Sequence, residues 1–161
     1  DTNPENIDNA CHLNSAMTVS YPSAGEVTCG DRLRPYQTVE SPTIEWTGAE
    51  DGKKYVTLMV DRDAPFRPSY FLHWLVNRVT DATLRSGLTA NDGDLFSYMG
   101  PSPPSGNHRI QIFIYESDST PLELGNQRRR DGFELAKFVK KNNLCGRLVA
   151  AFQFNVTQAH K

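Results

Sequence analysis

The chain has little of what would let it span a bilayer, coat a nucleic acid or build a hydrolase centre. No run of about 18 apolar residues occurs, so no segment reads as a membrane span. The 17 basic and 19 acidic residues leave a formal charge of −2. A general nucleic-acid binder needs a basic excess to displace counterions, and none is present. Neither an H-E-x-x-H pair for zinc nor a G-x-S-x-G elbow for a serine nucleophile occurs, although Asp and His are ordinary metal ligands. With 3 cysteines, one bridge and one leftover thiol are the most the chain can make. Repeats and low-complexity tracts are absent. At 161 residues the chain reads as a single domain over 1–161, long enough to bury roughly 70% of its unfolded surface.

What is there is β-rich. Residues 55–60 (Y-V-T-L-M-V) are β-branched and aromatic and too continuous to have a wet face, which predicts a central strand delivering Asp61 and Asp63 at its end. Residues 71–79 read as a second such strand. A third covers 108–116, with Ile110, Ile112 and Ile114 on one face and Phe113 and Tyr115 on the other. Shorter strands are predicted at 16–21 and 43–46, and a last one alternates from Leu148 to Val156 and points Gln153 and Asn155 away from its apolar face. One helix is predicted, with Asp131 as N-cap and Glu134 reaching back to it. Phe133, Ala136, Phe138 and Val139 form its stripe, Lys140 and Lys141 sit near the negative end of its dipole, and Gly146 stops it. Residues 1–10 are polar, and 1–15 is read as a mobile N-terminal segment. Arg128-Arg129-Arg130 is the one dense basic run, either a solvated loop or a contact for phosphates or an acidic partner. Together these elements predict a mainly β protein, an antiparallel sandwich with few peripheral helices.

Polar landmarks punctuate this pattern. Asp61-Arg62-Asp63-Ala64-Pro65 closes the central strand, His73-Trp74 lies in the next, and Gly100-Pro101-Ser102-Pro103-Pro104-Ser105-Gly106-Asn107-His108-Arg109 opens the third. Taken singly, a D-x-D pair is a solvated strand end, a histidine between Leu72 and Trp74 is a core residue, and a proline-rich loop is a turn. In this order they resemble the phosphatidylethanolamine-binding protein family, whose signature is D-x-D-A-P, a histidine before a hydrophobic strand, G-x-x-P-P, then H-R. The resemblance covers residues 17–156.

The resemblance implies a ligand site at Asp61, Asp63, Pro65, His73, Pro103, Pro104 and His108. Gly100 and Arg109 match as well, more as loop geometry and structural pairing. In relatives the Ala-Pro bond of this motif is cis, as suits a tight turn. Period two places both aspartates on one side of the strand. Histidine and loop N–H groups would donate to phosphate oxygens. One aspartate should orient a histidine, since a bare carboxylate facing phosphate is repulsive, and the other is free to meet an ammonium. Mammalian cytosolic members carry a tryptophan where this chain has Phe71 and a tyrosine where it has Ile110. The chain also ends five residues after Val156, without the C-terminal helix that closes their pocket, which implies a more open site.

A start at Asp1 rather than methionine, the sequon Asn155-Val156-Thr157 and the placement of Cys11 and Cys29 point to a secreted glycoprotein relieved of its signal peptide. Cys11 and Cys29 lie outside the predicted core strands and flank one strand-and-turn unit, so they are the favoured disulfide, with Cys145 free. Cysteine placement and the G-P-S-P-P-S loop look most like the secreted animal branch. The expected function is binding of a phospholipid head group or small anion, without catalysis, cofactor or metal, by a monomer. The alternative is inhibition of an extracellular protease, or signalling through a receptor, by contact at the pocket rim.

Overall fold

Alternation along the long strands feeds two separate cores, and this is what sets the architecture. The computed structural model describes residues 3–13, 16–65, 70–118, 121–125 and 127–158. Its strands are β1 (Met17–Tyr21), β2 (Gly25–Val27), β3 (Arg32–Leu33), β4 (Thr43–Trp46), β5 (Lys54–Asp61), β6 (Phe71–Thr80), β7 (Gly106–Ser117) and β8 (Leu148–Gln158), with helices α1 (Asp81–Ser86) and α2 (Leu135–Lys141). A three-stranded sheet runs β2-β1-β4 and a five-stranded sheet runs β3-β8-β7-β5-β6. Neighbours are antiparallel except for the short parallel pair β3–β8. This is the mainly β fold expected.

Ile110, Ile112 and Ile114 of β7 share one cluster with Phe152 and Phe154 of β8 and with Val19, Tyr21, Ile44 and Trp46 of the smaller sheet. The opposite face of the large sheet, with Val56, Leu58, Phe113 and Tyr115, is covered by Phe133, Leu135, Phe138 and Val139 and by Ile7 and Ala10. Each of these large side chains contributes roughly 1.5–3 kcal/mol when fully buried. Because β5 is covered on both faces, residues 55–61 are buried without interruption.

Residues 3–13, part of the N-terminal segment read as mobile, pack against the large sheet. Pro4–Asn6 and Ala10–Leu13 form 3-10 turns, and Pro4, Ile7 and Ala10 are buried. Polar composition misled here because backbone groups make the contacts: Gln111 Nε2 donates to Ile7 O at 2.7 Å, and Ala10 N donates to Gln153 Oε1 at 3.0 Å. Residues 1, 2, 14 and 15 lie outside the described residues.

The C-terminal helix also begins later than expected. Asp131 is held by two hydrogen bonds from Arg129, at 3.0 and 2.7 Å, and Gly132 follows with φ of 69°, a conformation that no helix propagates. Phe133 then bridges Tyr70, and α2 starts at Leu135. It stops at Asn142–Asn143, where Asn143 has φ of 58°, before Gly146 is reached. Helix α1 was not anticipated; six residues are too few for a periodic signal, but the Thr80 side chain caps it by accepting from Thr83 N.

Cys11 and Cys29 form a disulfide with Cα atoms 5.8 Å apart, and Cys145 is free and exposed. Alkylation of the folded, unreduced protein should therefore label Cys145 alone. Peptide mapping that recovers Cys145 in a bridge would contradict this pairing.

Candidate ligand-binding site

Antiparallel register builds the site. Asp61 at the end of β5 lies opposite Ile110 of β7 and Phe71 of β6, so His108, two residues before Ile110, projects from the same face as the aspartate. His108 Nδ1 donates to Asp61 Oδ2 at 2.6 Å, and Asp61 Oδ1 accepts from Asp63 N at 2.7 Å. Both carboxylate oxygens are thus engaged. Burial pushes the Asp61 pKa up, while the His108 hydrogen bond and charge pull it back.

His73 sits two residues along β6 from Phe71, and their rings lie 4.7 Å apart. Its Nδ1 donates to the Met99 carbonyl at 2.7 Å, which fixes the tautomer. Burial lowers its pKa to about 4; the Met99 hydrogen bond opposes this, and the charges of Arg130 and His108 add to it. At neutral pH this ring is uncharged, with a lone pair on Nε2. No described residue pairs with Nε2 of His73 or of His108.

Asp63 departs from expectation. Strand β5 ends at Asp61, and Arg62-Asp63 is already a turn, so period two no longer applies. Asp63 faces Arg109: its Oδ2 accepts from Arg109 N at 2.7 Å and Nε at 2.9 Å, and its Oδ1 accepts from Nη2 at 2.7 Å. It does not line the cavity, and Arg109 fills the pairing role expected of it.

The remaining wall is the proline loop. A cavity of about 240 Å³ is lined by Asp61, His73 and His108, by Ala64, Pro65 and Phe71, and by Met99, Gly100, Ser102, Pro103 and Pro104. Tyr98 Oη donates to Thr38 O at 2.6 Å, and Thr38 Oγ1 donates to Pro101 O at 3.2 Å, which ties the loop to a 3-10 turn at Pro35–Thr38. Gly100 lets it close in: a Cβ there would lie 2.3 Å from Thr38 O. Gly100→Ala should push the loop outward, lowering stability by about 1–3 kcal/mol, as overpacking does. Thermal unfolding of the variant checks this, and an unchanged midpoint would contradict it.

Arg130 is the site residue that sequence reasoning missed. The basic run suggested a solvated loop or a phosphate contact. Instead Arg130 donates to Leu72 O, His73 O and Ser97 O at 3.1, 2.9 and 2.6 Å and lies over the Phe96 ring. It clamps β6 to the segment leading to Met99, and no local sequence signal marks that role.

Ile110 points into the inter-sheet core, not the cavity. Asn155 is half-buried between β3 and β7, its Nδ2 donating to Gly30 O at 3.2 Å and its Oδ1 accepting from Asn107 at 3.1 Å. A wider concavity of about 490 Å³ between residues 123–131 and α2 carries mixed charge, with Arg128 and Lys141 beside Glu123 and Glu134. Among the described residues no cluster of His, Cys, Asp or Glu is arranged to hold a metal, and no helix is long and apolar enough to cross a membrane.

Residues 13–154 match the family model "Phosphatidylethanolamine-binding protein". Two plant proteins of Arabidopsis thaliana are each 36% identical, TWIN SISTER of FT over 140 residues and FLOWERING LOCUS T over 141 residues, covering 81% of this chain and 73% of each relative. These relatives are plant proteins, not members of a secreted animal branch. Among solved structures, carboxypeptidase Y inhibitor complexed with its cognate proteinase aligns at TM-score 0.67 and 22% identity, over 88% of this chain and 82% of that one. A phosphatidylethanolamine-binding protein of Plasmodium falciparum aligns at TM-score 0.67 and 22% identity, over 95% and 90%. At that identity the likeness is one of fold.

Proposed function

This chain belongs to the phosphatidylethanolamine-binding protein family, and from that premise we propose that it binds phosphodiester head groups, phosphoethanolamine above all, in the cavity between Asp61, His73 and His108. The observation that carries the reading is the commitment of both Nδ1 positions. His108 spends its Nδ1–H on Asp61 and His73 spends its own on Met99, so each offers only Nε2 to a ligand. On protonation, His108 supplies an Nε2–H for a phosphate oxygen while Asp61 balances the imidazolium charge. His73, held neutral by burial, is an acceptor. It suits an ammonium N–H and repels a phosphate oxygen. The ammonium partner is therefore His73 and not Asp63, which Arg109 has taken.

The test is discrimination between head groups. Calorimetry should give glycerophosphoethanolamine about tenfold tighter binding than glycerophosphocholine, whose quaternary nitrogen has no N–H to donate, since one hydrogen bond to a charged group is worth about 1.5 kcal/mol. Equal affinities would remove His73 from the ammonium role. His73 should stay neutral from about pH 8 to 6, because burial lowers its pKa to about 4.

Secretion is part of the proposal. It is supported by the Cys11–Cys29 bridge, which persists in oxidising compartments, and by the sequon at Asn155. Glycosylation of Asn155 would replace one Nδ2 hydrogen, and a glycosidase-sensitive mass shift in protein from a secretory host tests it. A second reading, contact with an extracellular protease or receptor, draws on the exposed rim at Met99, Ser102 and Pro104. Protease inhibition that survives saturation of the cavity with glycerophosphoethanolamine would place such contact elsewhere.

A further inference from the structure

The geometry points to Arg62 as a positioning residue for the cavity, held by an N-terminal strap that the Cys11–Cys29 disulfide pins down, so that reducing this bridge weakens ligand binding. The inference rests on the head-group reading above.

Arg62 lies between Asp61 and Asp63 but projects to the other side of the turn, and it is 6% exposed. A buried guanidinium is tolerated only when its N–H groups find acceptors. Here most of them come from residues 3–13: Nη1 donates to Pro4 O at 3.2 Å, and Nη2 to Glu5 O at 2.5 Å and Asp8 Oδ1 at 3.3 Å. Tyr70 Oη, at 3.1 Å from Nη1, is the exception, and Nε has no partner among the described residues. Without the strap this cation would lose most of its acceptors and would have to move toward water.

Such a move reaches the ligand site through the backbone. Arg62 N donates to Arg109 O at 3.0 Å, and the residues on either side of it are joined by the Asp63 N to Asp61 Oδ1 hydrogen bond. Asp61 in turn orients His108, and Ala64-Pro65 of the cavity wall follows directly. The strap also touches Arg109, the partner of Asp63, through Asp8 O at 3.4 Å.

Among the described residues, the other anchors of the strap include three buried side chains and the amide contacts of Gln111 and Gln153. The disulfide fixes its far end against β8, where Gln153 N donates to Cys29 Sγ at 3.4 Å. Reduction breaks the Sγ–Sγ bond and yields two thiols. The two electrons and two protons come from a dithiol, which is itself oxidised to its disulfide. Cys145, already a thiol, is unaffected.

The test begins with glycerophosphoethanolamine binding to the oxidised wild type. If that fails, the head-group reading has failed and not this one. Given binding, dithiothreitol-treated protein and the Cys11→Ser/Cys29→Ser variant should each bind about tenfold more weakly, with amide spectra still dispersed and the His108 imidazole nitrogen signals displaced. The His108 signals separate positioning from general loosening. The oxidised Arg62→Lys variant, which keeps the bridge but loses the planar fork, should show the same displacement and a similar loss. Unchanged affinity and unchanged His108 signals in a folded, reduced chain would overturn the inference. If the reduced chain does not stay folded, unchanged affinity in Arg62→Lys overturns it instead.

Discussion

Acidification from pH 7 to below 4 is expected to cost this protein stability through His73, by an amount approaching about 3 kcal/mol. The native ring has its pKa pushed down from 6.5 to about 4, with burial as the first cause. Between those values the unfolded chain binds a proton that the native chain refuses, so unfolding takes up a proton and stability falls as pH falls. The contribution is fully present above about pH 6.5 and is lost on the way down to about 4. Asp61 works against it: its pKa is raised in the native state, so acid relieves a burial penalty there. His73→Asn, whose amide can still donate to Met99 O, should flatten the acid limb of a plot of unfolding free energy against pH. An equally steep limb in this variant would mean that the acid sensitivity lies elsewhere.

The second large effect is on binding. Asp61→Asn removes a charge and one of the two oxygens that accept from His108 and Asp63; relief of the buried carboxylate offsets that lost acceptor, so the unfolding midpoint at pH 7 should move little. Binding should not survive as well. The amide can still accept from His108 Nδ1, but it cannot balance an imidazolium, and protonation of that imidazole is what provides the Nε2–H for phosphate. Glycerophosphoethanolamine affinity should fall by about tenfold or more, as expected when a hydrogen bond to a charged group, worth about 1.5–3 kcal/mol, is lost. Calorimetry at pH 6.5 beside thermal unfolding separates the two outcomes. Lost stability with retained binding would contradict both expectations.

The parts legible in the sequence were those written in side-chain alternation. Residues 55–60, 71–79, 108–116 and 148–156 emerge as β5 to β8 within two residues at each end, because a sheet with a core on both faces leaves no ambiguity in such runs. The motifs at Asp61, His73, Pro103-Pro104 and His108 do converge, since three adjacent strands deliver them to one end of the sheet. What stayed hidden depends on backbone atoms distant in sequence. The tautomer of His73 is set by a carbonyl 26 residues away. Asp63 is turned aside by Arg109, 46 residues on, and the strap is held by Arg62, Gln111 and Gln153 acting mostly on main-chain groups. Asp131 looked like a helix cap until Gly132 took a left-handed conformation.

The most direct measurement is a titration of the oxidised protein with glycerophosphoethanolamine, followed through the imidazole nitrogens of His73 and His108. Saturable shifts at Nε2 of both rings are predicted, with Nδ1 of His73 remaining protonated throughout. Saturable binding that leaves both imidazoles unmoved, or that perturbs Arg128 and Lys141 beside α2 instead, would contradict the assignment of the Asp61–His73–His108 cavity as the ligand site.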